Sequence, residues 1–367
     1  MKTLAATLVR GNNNFDLIRL LAALAVMLGH SYGFQAGSSF ESMLAFTHLE
    51  SFGSLAVYAF FMISGMLVSA SFVQQRSAVK FIGLRAVRIW PAAMVCAVFI
   101  AVVVGPSFSR LPSAAYFSDP QLFGWLFHNM SLLGRVGGPL PGLFDDSHAK
   151  SLVNAPVWTL PVELKCYLIV LAGGLLGALG SAWRTLALVA LGAAIFAAFA
   201  THPSRYFSMG DFFTLQLGYS FYPVPFFLLG MLLHAFRASI LLSWKPVVLL
   251  SAGYLALRYS VPGTVLFYTA FVYGVLWLAS ADALRKLKPR HDYSYGVYLY
   301  GFVVQQIVSV LYPAMNNYLA FAVALPFTLA LAALSWHLVE RPCLVLVRHR
   351  CTALDTSRAA HTSQSGS

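Results

Sequence analysis

Charged residues are scarce in this chain: Asp, Glu, Lys and Arg make up 10% of its 367 residues, whereas ordinary soluble domains carry about 25%. Acidic residues are the scarcer class, since 12 Asp and Glu stand against 24 Lys and Arg. Cysteine is nearly absent, with four residues, and this excludes a secreted scaffold stapled by disulfides. Hydrophobic residues reach 59%, so a soluble domain and a disordered chain are excluded as well.

Long apolar stretches recur along the chain at lengths that suit membrane-spanning helices, about 20 residues for roughly 30 Å of hydrocarbon. Period-2 alternation, the pattern of a transmembrane barrel, is not sustained anywhere. Because backbone groups in lipid need internal partners, we expect helices. We predict an all-α polytopic membrane protein of about ten transmembrane helices, two of them short (221–236 and 244–258), at residues 15–33, 52–72, 87–105, 160–179, 184–201, 221–236, 244–258, 263–280, 294–312 and 318–338.

Basic residues concentrate in alternate connections between these stretches. With the N-terminus inside, most Lys and Arg fall on the inner side, including Lys2 and the cluster at 285–290. The positive-inside rule therefore predicts that both termini are cytoplasmic. The excess positive charge then reflects topology and contact with membrane lipid, and nucleic acid is not an expected partner. We expect no removable signal peptide, because the first apolar run is long enough to span and no small-residue cleavage site follows it.

The predicted organisation has three parts: a cytoplasmic N-terminal segment 1–14, a membrane domain 15–342, and a cytoplasmic tail 343–367 whose small polar residues predict disorder. One outside connection, 106–158, is far longer than the others and holds an apolar island at 123–133 that is too short to span. We expect this island to form an interfacial or re-entrant helix, and the connection to act as a lid over an acceptor site. The cysteines lie in spans or on the cytoplasmic side, so no disulfide is expected.

Ionisable residues inside the first predicted span are candidates for chemistry, because each such group costs roughly 2.5–3.5 kcal/mol to insert. The span contains Asp16, Arg19 and His30. The step from Arg19 to His30 returns to within about 20° of the same helix face and rises roughly 16 Å, which places His30 near the membrane centre. Asp16 and Arg19 could pair within one turn. Alternatively, Asp16 and Arg19 anchor the helix and His30 only packs.

Two further motifs lie in the second and third stretches. Ser64 and Gly65, at the end of FFMISG, could shape a site, or could form a small-residue patch that another helix approaches closely. Arg85 and Arg88, in FIGLRAVRIWP, sit three residues apart at the cytoplasmic start of the third helix. Paired guanidinium groups suit bidentate phosphate binding, but the same pair could simply follow the positive-inside rule.

The segment WTLPVELK places Glu163 just inside the fourth stretch. A carboxylate at this depth could orient His30, or could be interfacial together with Lys165. Trp158 begins the segment, and His148 lies in the preceding loop, where it could shape a site or be solvated. The histidines of the chain show no metal-ligand spacing, so no metal site is predicted.

Together these motifs resemble those of the acyltransferase 3 family of bacterial ten-helix membrane O-acyltransferases. Arg19 and His30 match the Arg/Lys-x10-His pattern of the family's first helix, and FFMISG matches its FFxxSG motif. Arg85 and Arg88 match its RxxR element, and WTLPVELKCY resembles its Trp-Thr/Ser-Leu-x-x-Glu segment. SYGVYLYGF at 294–302 resembles the Ser-Tyr-x-x-Tyr-Leu of its ninth helix. With the C-terminal HLVERP, the resemblance extends from residue 14 to about 342.

The resemblance implies transfer of an acyl group, most often acetyl, from cytoplasmic acyl-CoA to a hydroxyl of an extracytoplasmic or lipid-linked glycan, at the bacterial inner membrane. Acetyl-CoA or another acyl-CoA would be the donor substrate, and no permanently bound cofactor is expected. Some relatives carry an appended esterase-like domain, which we do not expect here because the tail 343–367 is short.

The implied site would use His30 as a general base or as a transient acyl carrier, two roles that the residues leave open. Glu163 would be the orienting carboxylate, and Arg19, Arg85 and Arg88 would hold the CoA phosphates. Residues that would shape the site are Asp16, Ser64, Gly65, His148 and Trp158.

Two other classes compete with this function. A polytopic transporter or flippase of a glycan or small metabolite would also use His, Glu and Arg along a polar path, although the chain shows no internal repeat. A structural membrane scaffold would leave the intramembrane ionisable residues unexplained.

Overall fold

The computed structural model describes residues 2–9, 11–34, 42–75, 77–134, 136–145, 152–200, 223–347 and 349. The secondary structure there is almost entirely helical, and its α-helices in chain order are α1 Leu4–Leu8, α2 Phe15–Phe34, α3 Ser42–Thr47, α4 Phe52–Gln75, α5 Ala78–Phe99, α6 Gly105–Phe108, α7 Ser113–Ser118, α8 Pro120–Ser131, α9 Thr159–Leu175, α10 Ala182–Ala200, α11 Pro223–Ala235, α12 Trp244–Ala256, α13 Val261–Ser280, α14 Ser294–Leu311 and α15 Asn317–Ser335. Shorter elements are the strands β1 Lys2–Thr3 and β2 Leu241–Leu242, the 3₁₀ turns Ala155–Trp158, Ala178–Gly180 and Asp282–Leu287, and the π-helical turns Ile100–Val104 and Trp336–Glu340.

In the described part of the chain, seven helical stretches are long and apolar enough to cross a membrane: Phe15–Phe34, Phe52–Gln75, Ala78–Phe108, Ala155–Leu175, Val261–Ser280, Ser294–Leu311 and Asn317–Val347. Each coincides with a predicted span, so the all-α polytopic membrane class is confirmed. The other three predicted spans coincide with α10, α11 and α12. Of these, α11 and α12 have 13 residues each, about 20 Å of helix, which is short for a perpendicular crossing. The count of ten spans therefore stays a prediction.

The third span begins earlier than its predicted start at residue 87. Helix α5 begins at Ala78, where the Ser77 side chain caps it by accepting from the backbone N–H of Lys80. Arg85 and Arg88 consequently lie within the helix instead of at its beginning. The apolar window missed this start because charged residues lower the hydropathy of the first turns, whereas a capping serine sets where the backbone enters the helix.

The chain divides into two compact units, and each is described by itself. The first comprises Met1–Tyr32, Ser39–Gln74 and Val162–Ser294, and the second comprises Gly33–Ser38, Gln75–Pro161 and Tyr295–Ser367. The core of the first unit is formed by buried apolar side chains of α1, α2, α4 and α13, among them Leu4, Phe15, Ile18, Met62, Met66, Leu276 and Ala279.

The hydrogen bonds at each end of the first unit join segments that are predicted to lie on the same side of the membrane. Strand β1 pairs antiparallel with β2, and the Asn14 amide donates to the carbonyl oxygens of Leu278 at 2.9 Å and Ala281 at 2.7 Å. These residues, predicted inside or at the inner end of a span, therefore meet at one end of the unit. At the other end of α12, the Tyr254 hydroxyl donates to the carbonyl oxygen of Thr47 at 3.0 Å, which joins the outer part of the predicted span 244–258 to a connection predicted outside.

In the second unit, the long connection after α5 is folded by its own hydrogen bonds. The helix expected at 123–133 is present as α8, which Asp119 caps by accepting from Gln121 N at 2.8 Å, and which packs against α5. The buried Trp125 indole donates to the Gly138 carbonyl oxygen at 2.9 Å. The buried Tyr116 hydroxyl donates to the Ala101 carbonyl oxygen at 2.9 Å, and burial raises the pKa of Tyr116 to about 12.

Candidate functional site

Arg19 and His30 lie on one unbroken helix, α2, so the predicted stripe along its face is preserved. Arg19 Nη1 lies 3.2 Å from Asp292 Oδ2, and the two side chains are 23% and 13% exposed. Asp292 also accepts from Ser294 Oγ at 2.5 Å, at the start of α14. The Asp292 carboxylate therefore links α2, the first predicted span, to the connection that precedes α14, the ninth predicted span.

Asp16 does not form the local pair with Arg19 that one helical turn would allow. Its Oδ2 atom lies 3.1 Å from Lys288 Nζ, while Arg19 pairs with Asp292. Both partners come from the connection 281–293, which brings one basic and one acidic side chain to the start of α2. Asp16 and Arg19 thus anchor α2 through tertiary ion pairs, whereas His30, partly buried, lies roughly 16 Å further along the helix.

Glu163 is the point at which two of the predicted motifs meet. Ser64 Oγ, from FFMISG on α4, donates to Glu163 Oε1 at 3.0 Å. The Tyr167 hydroxyl, one turn further along α9, donates to the same oxygen at 2.5 Å. Two hydroxyl groups, one on α4 and one on α9, thus contact one carboxylate oxygen, and they fix the rotamer of Glu163.

Direct orientation of His30 by Glu163 was one expectation from the sequence. Within the described residues, the hydrogen bonds that the Glu163 carboxylate accepts come from Ser64 and Tyr167, and His30 is not among its donors. Tyr167 is a site residue that the sequence analysis missed. The signal was present, because a hydroxyl four residues after a carboxylate lies on the same helix face.

Gly65, the small residue that follows Ser64, lies where two helices approach closely. A Cβ atom built on Gly65 would collide with the backbone carbonyl of Phe227, and one built on Gly230 would collide with the carbonyl oxygen of Met62. Helices α4 and α11 therefore cross in close backbone contact at these two glycines. The interpretation of the motif as a small-residue patch is confirmed at Gly65, whereas a site-shaping role for Ser64 and Gly65 stays a prediction.

The second unit brings the RxxR element together with two C-terminal motifs. Arg88 Nη1 lies 3.9 Å from Glu340 Oε2, and its guanidinium carbon lies 5.9 Å from the ring centre of Tyr295. Glu340 is 2% exposed and accepts from Ser335 Oγ at 3.0 Å. The partly buried guanidinium of Arg88 is thus held by a buried carboxylate, and Arg85 lies one turn before it, also partly buried.

Trp158 ends the 3₁₀ turn Ala155–Trp158, directly before α9. The turn is fastened to α14, because the Tyr298 hydroxyl donates to the carbonyl oxygen of Pro156 at 2.7 Å and lies 2.6 Å from Thr159 Oγ1. Trp158 itself is partly buried. His148 lies outside the described residues.

The first unit contains a second carboxylate that the sequence analysis did not single out. Glu50 is 7% exposed, and its Oε1 atom accepts from the hydroxyls of Tyr58 at 3.1 Å and Tyr268 at 2.5 Å. The ring of Phe226 stacks on that of Tyr58 with centres 4.1 Å apart. Tyr268 lies 218 positions from Glu50 in the sequence, so local spacing gave no signal for this cluster.

The described residues include groups whose chemistry suits acyl transfer. An imidazole can accept a proton or an acyl group, a fixed carboxylate can stabilise positive charge, and guanidinium groups can bind phosphate. The first unit holds the imidazole of His30 and the carboxylate of Glu163, and the second holds the guanidinium groups of Arg85 and Arg88.

Comparison with known proteins identifies the family. The family model described as an acyltransferase domain, that of the acyltransferase 3 family, matches residues 12–337. The chain is 29% identical over 334 residues to an "O-acetyl transferase" of Shigella phage Sf6, covering 90% of this chain and 95% of the relative. It is 28% identical over 362 residues to "Nodulation protein 10" of Rhizobium leguminosarum bv. viciae, covering 91% of this chain and 94% of the relative. No solved structure gives a significant match.

The match removes the basis for the transporter and scaffold alternatives, because it covers nearly the whole membrane domain and includes every motif noted above except HLVERP, of which it reaches only His337. With its apolar helices, the chain belongs to the acyltransferase 3 family and is a multi-pass membrane O-acyltransferase.

Proposed function

We propose that this enzyme takes an acyl group, in the first instance acetyl, from cytoplasmic acyl-CoA and transfers it to a hydroxyl of an extracytoplasmic or lipid-linked glycan at the bacterial inner membrane. The acetyl assignment is supported by the name of the phage relative, an O-acetyl transferase. The cytoplasmic donor is supported by the concentration of basic residues in the segments predicted inside.

The observation that carries the proposal is the Ser64–Glu163–Tyr167 cluster in the first unit. Charged side chains at membrane depth are costly and are retained for function. Here the carboxylate has two hydroxyl donors from two helices, α4 and α9, and it belongs to the same unit as His30.

His30 would act in one of two ways. As a general base, its imidazole takes the proton of the acceptor hydroxyl while that oxygen attacks the thioester carbon; the C–S bond breaks, and the CoA thiolate then takes the proton. As an acyl carrier, the ring nitrogen attacks the thioester and CoA leaves as the thiol with the ring proton. The acceptor oxygen then displaces the imidazole, which takes up the acceptor's proton.

Glu163 would act through its charge. The imidazole becomes positively charged during either route, and a fixed carboxylate in the same low-dielectric unit stabilises that charge. Ser64 and Tyr167 would be positioning residues, because they act by holding Glu163, and Gly65 would position Ser64 through the contact of α4 with α11.

Arg85 and Arg88 would bind the phosphates of CoA, since planar guanidinium groups form paired hydrogen bonds with phosphate oxygens. Glu340 would hold Arg88 in place, as its buried carboxylate lies 3.9 Å from the guanidinium. Arg19, in the first unit, would also bind phosphate, but it would share its charge with Asp292. Asp16, Trp158 and His148 stay our candidates for residues that line a substrate-binding surface, and the connection 106–158 stays our candidate for the acceptor lid.

The test is a mass spectrum of the surface glycan from the host with and without this protein. Loss of an acetyl-sized mass increment from an otherwise unchanged glycan is the expected result. Loss of the whole glycan would indicate transport, and an unchanged spectrum would contradict a glycan acceptor.

A further inference from the structure

A cavity of about 420 Å³ opens at the end of the first unit where the chain begins. Its lining combines two basic side chains, Lys2 and Lys245, with two large aromatic ones, Trp244 and Trp277. Tryptophan is enriched where membrane meets water, and lysines reach from that depth to the headgroups. The composition of the lining is therefore typical of the interface at the end of a membrane-spanning helix.

The charge around the cavity is positive on balance. Lys2 Nζ lies 2.6 Å from Asp282 Oδ1, and Arg285 lies 3.0 Å from the same oxygen. The hydrogen bond from Lys2 holds the pKa of Asp282 below its usual value, so the carboxylate stays charged and offsets one of these two cations. Lys245 adds a further positive charge to the lining.

Helix α12 begins at this cavity. Its N-cap is Ser243, whose side chain makes no capping hydrogen bond. The Ser243 Oγ atom is buried and, within the described residues, has no hydrogen-bond partner. The first backbone N–H groups of a helix lack internal acceptors and carry partial positive charge, so two lysines and a helix N-terminus line one cavity.

An apolar surface continues from the cavity along α12. Trp244 is 56% exposed, and one turn further Val248 is 56% and Leu249 74% exposed. An acyl chain could lie along this surface while an anionic group occupies the cavity. The site thus suits an amphipathic ligand with a phosphate at one end.

We propose that this cavity binds the phosphate of an anionic phospholipid, with Lys245, Lys2 and the N-terminus of α12 as its binding groups. Binding there would stabilise the pairing of β1 with β2 at the cytoplasmic end. Lys2 belongs to β1, and Leu242 of β2 also lines the cavity. The proposal is independent of the role of His30.

The experiment uses the purified full chain in discs of phosphatidylcholine, titrated with a short-chain phosphatidylglycerol or with the matching phosphatidylcholine, and reads binding from the shift in Tm. Phosphatidylglycerol should raise Tm in a saturable way, and Lys245→Glu should weaken its apparent affinity at least about tenfold, the loss of one strong charged contact. Lys286→Glu is the matched control and should bind as the parent does. Lys286 is exposed and lies on the same connection as Asp282, but it does not line the cavity.

Inorganic phosphate forms the second arm, because a soluble phosphate could share this chemistry. Equal stabilisation by inorganic phosphate at the same concentration would overturn the lipid assignment. A shift that is the same for both lipids, or that survives in Lys245→Glu, would also overturn it. If Lys245→Glu does not fold, Lys245→Gln with the amount of co-purified anionic lipid as readout decides: parent-level retention would contradict the proposal, and depletion would support it.

Discussion

Ser64 Oγ donates a 3.0 Å hydrogen bond to Glu163 Oε1, joining two residues that lie 99 positions apart in the sequence. The bond connects α4 with α9 and brings the FFMISG and WTLPVELK motifs to one carboxylate. Glu163 thereby gains a fixed position that its own helix could not give it with Tyr167 alone. This relationship is the structural centre of the proposed site, and it leads to the first prediction.

Ser64→Ala should lower acetyl transfer about tenfold through kcat, with little change in the KM for acetyl-CoA. A hydrogen bond to a charged group contributes about 1.5–3 kcal/mol, and its loss would free the carboxylate without touching the donor site. Ser64→Thr, which keeps the hydroxyl, is the matched control and should retain most activity. Initial rates with isolated membranes measure both constants, and a change confined to KM would contradict the positioning role.

Gly65→Ala should destabilise the enzyme, because the added methyl group meets the backbone of Phe227. Overpacking of this kind costs about 1–3 kcal/mol, so Tm in detergent should fall by several degrees. Gly53→Ala, on the same helix, is the matched control, because its methyl group would make only an ordinary van der Waals contact, 3.7 Å from Ser51 Oγ. Equal Tm values for the two variants would show that α4 and α11 do not depend on this close approach.

Arg88→Ala should raise the KM for acetyl-CoA more than it affects use of the acceptor, since the proposed partner of Arg88 is phosphate. Arg88→Lys should restore little, because an ammonium lacks the planar fork. Removal of Arg88 also leaves the buried Glu340 carboxylate without its cation, so Arg88→Ala combined with Glu340→Gln controls for folding. Arg85→Ala should have the same kinetic signature. If both single variants kept a normal KM for acetyl-CoA, the arginines would be topology markers only.

The predicted sidedness can be measured with single cysteines in a version that lacks the four native ones. Asp145→Cys, in the long connection, should react with an impermeant thiol reagent added to intact cells. Lys286→Cys should react only after the cells are opened, because the positive-inside rule places its connection in the cytoplasm. Equal labelling of both positions in intact cells would contradict the topology.

The sequence predicted what depends on local periodicity. Long apolar runs located the helices, and the helical repeat placed Arg19 and His30 on one stripe. Local periodicity could not predict the partners of Arg19 and Glu163. Asp292 contacts Arg19, and Ser64 contacts Glu163, because segments that are distant in the sequence pack together. The start predicted for the third span, residue 87, was wrong. Charged residues lower the hydropathy of the first turns of α5, whereas the helix begins where the Ser77 side chain caps its backbone.

The central claim is that His30 carries the acyl-transfer chemistry, and its most direct test is the acetyl content of the surface glycan in a host that expresses His30→Gln. Glutamine keeps the size and hydrogen bonding of histidine without its basicity, and a positioned general base contributes about 10² to 10⁴ in rate. The account predicts that the acetyl-sized mass increment disappears in His30→Gln, as it should in His30→Ala, while the amount of enzyme in the membrane stays at the parent level. Parent-level acetylation by the Gln variant would contradict the account and would move the chemistry to Glu163 or His148.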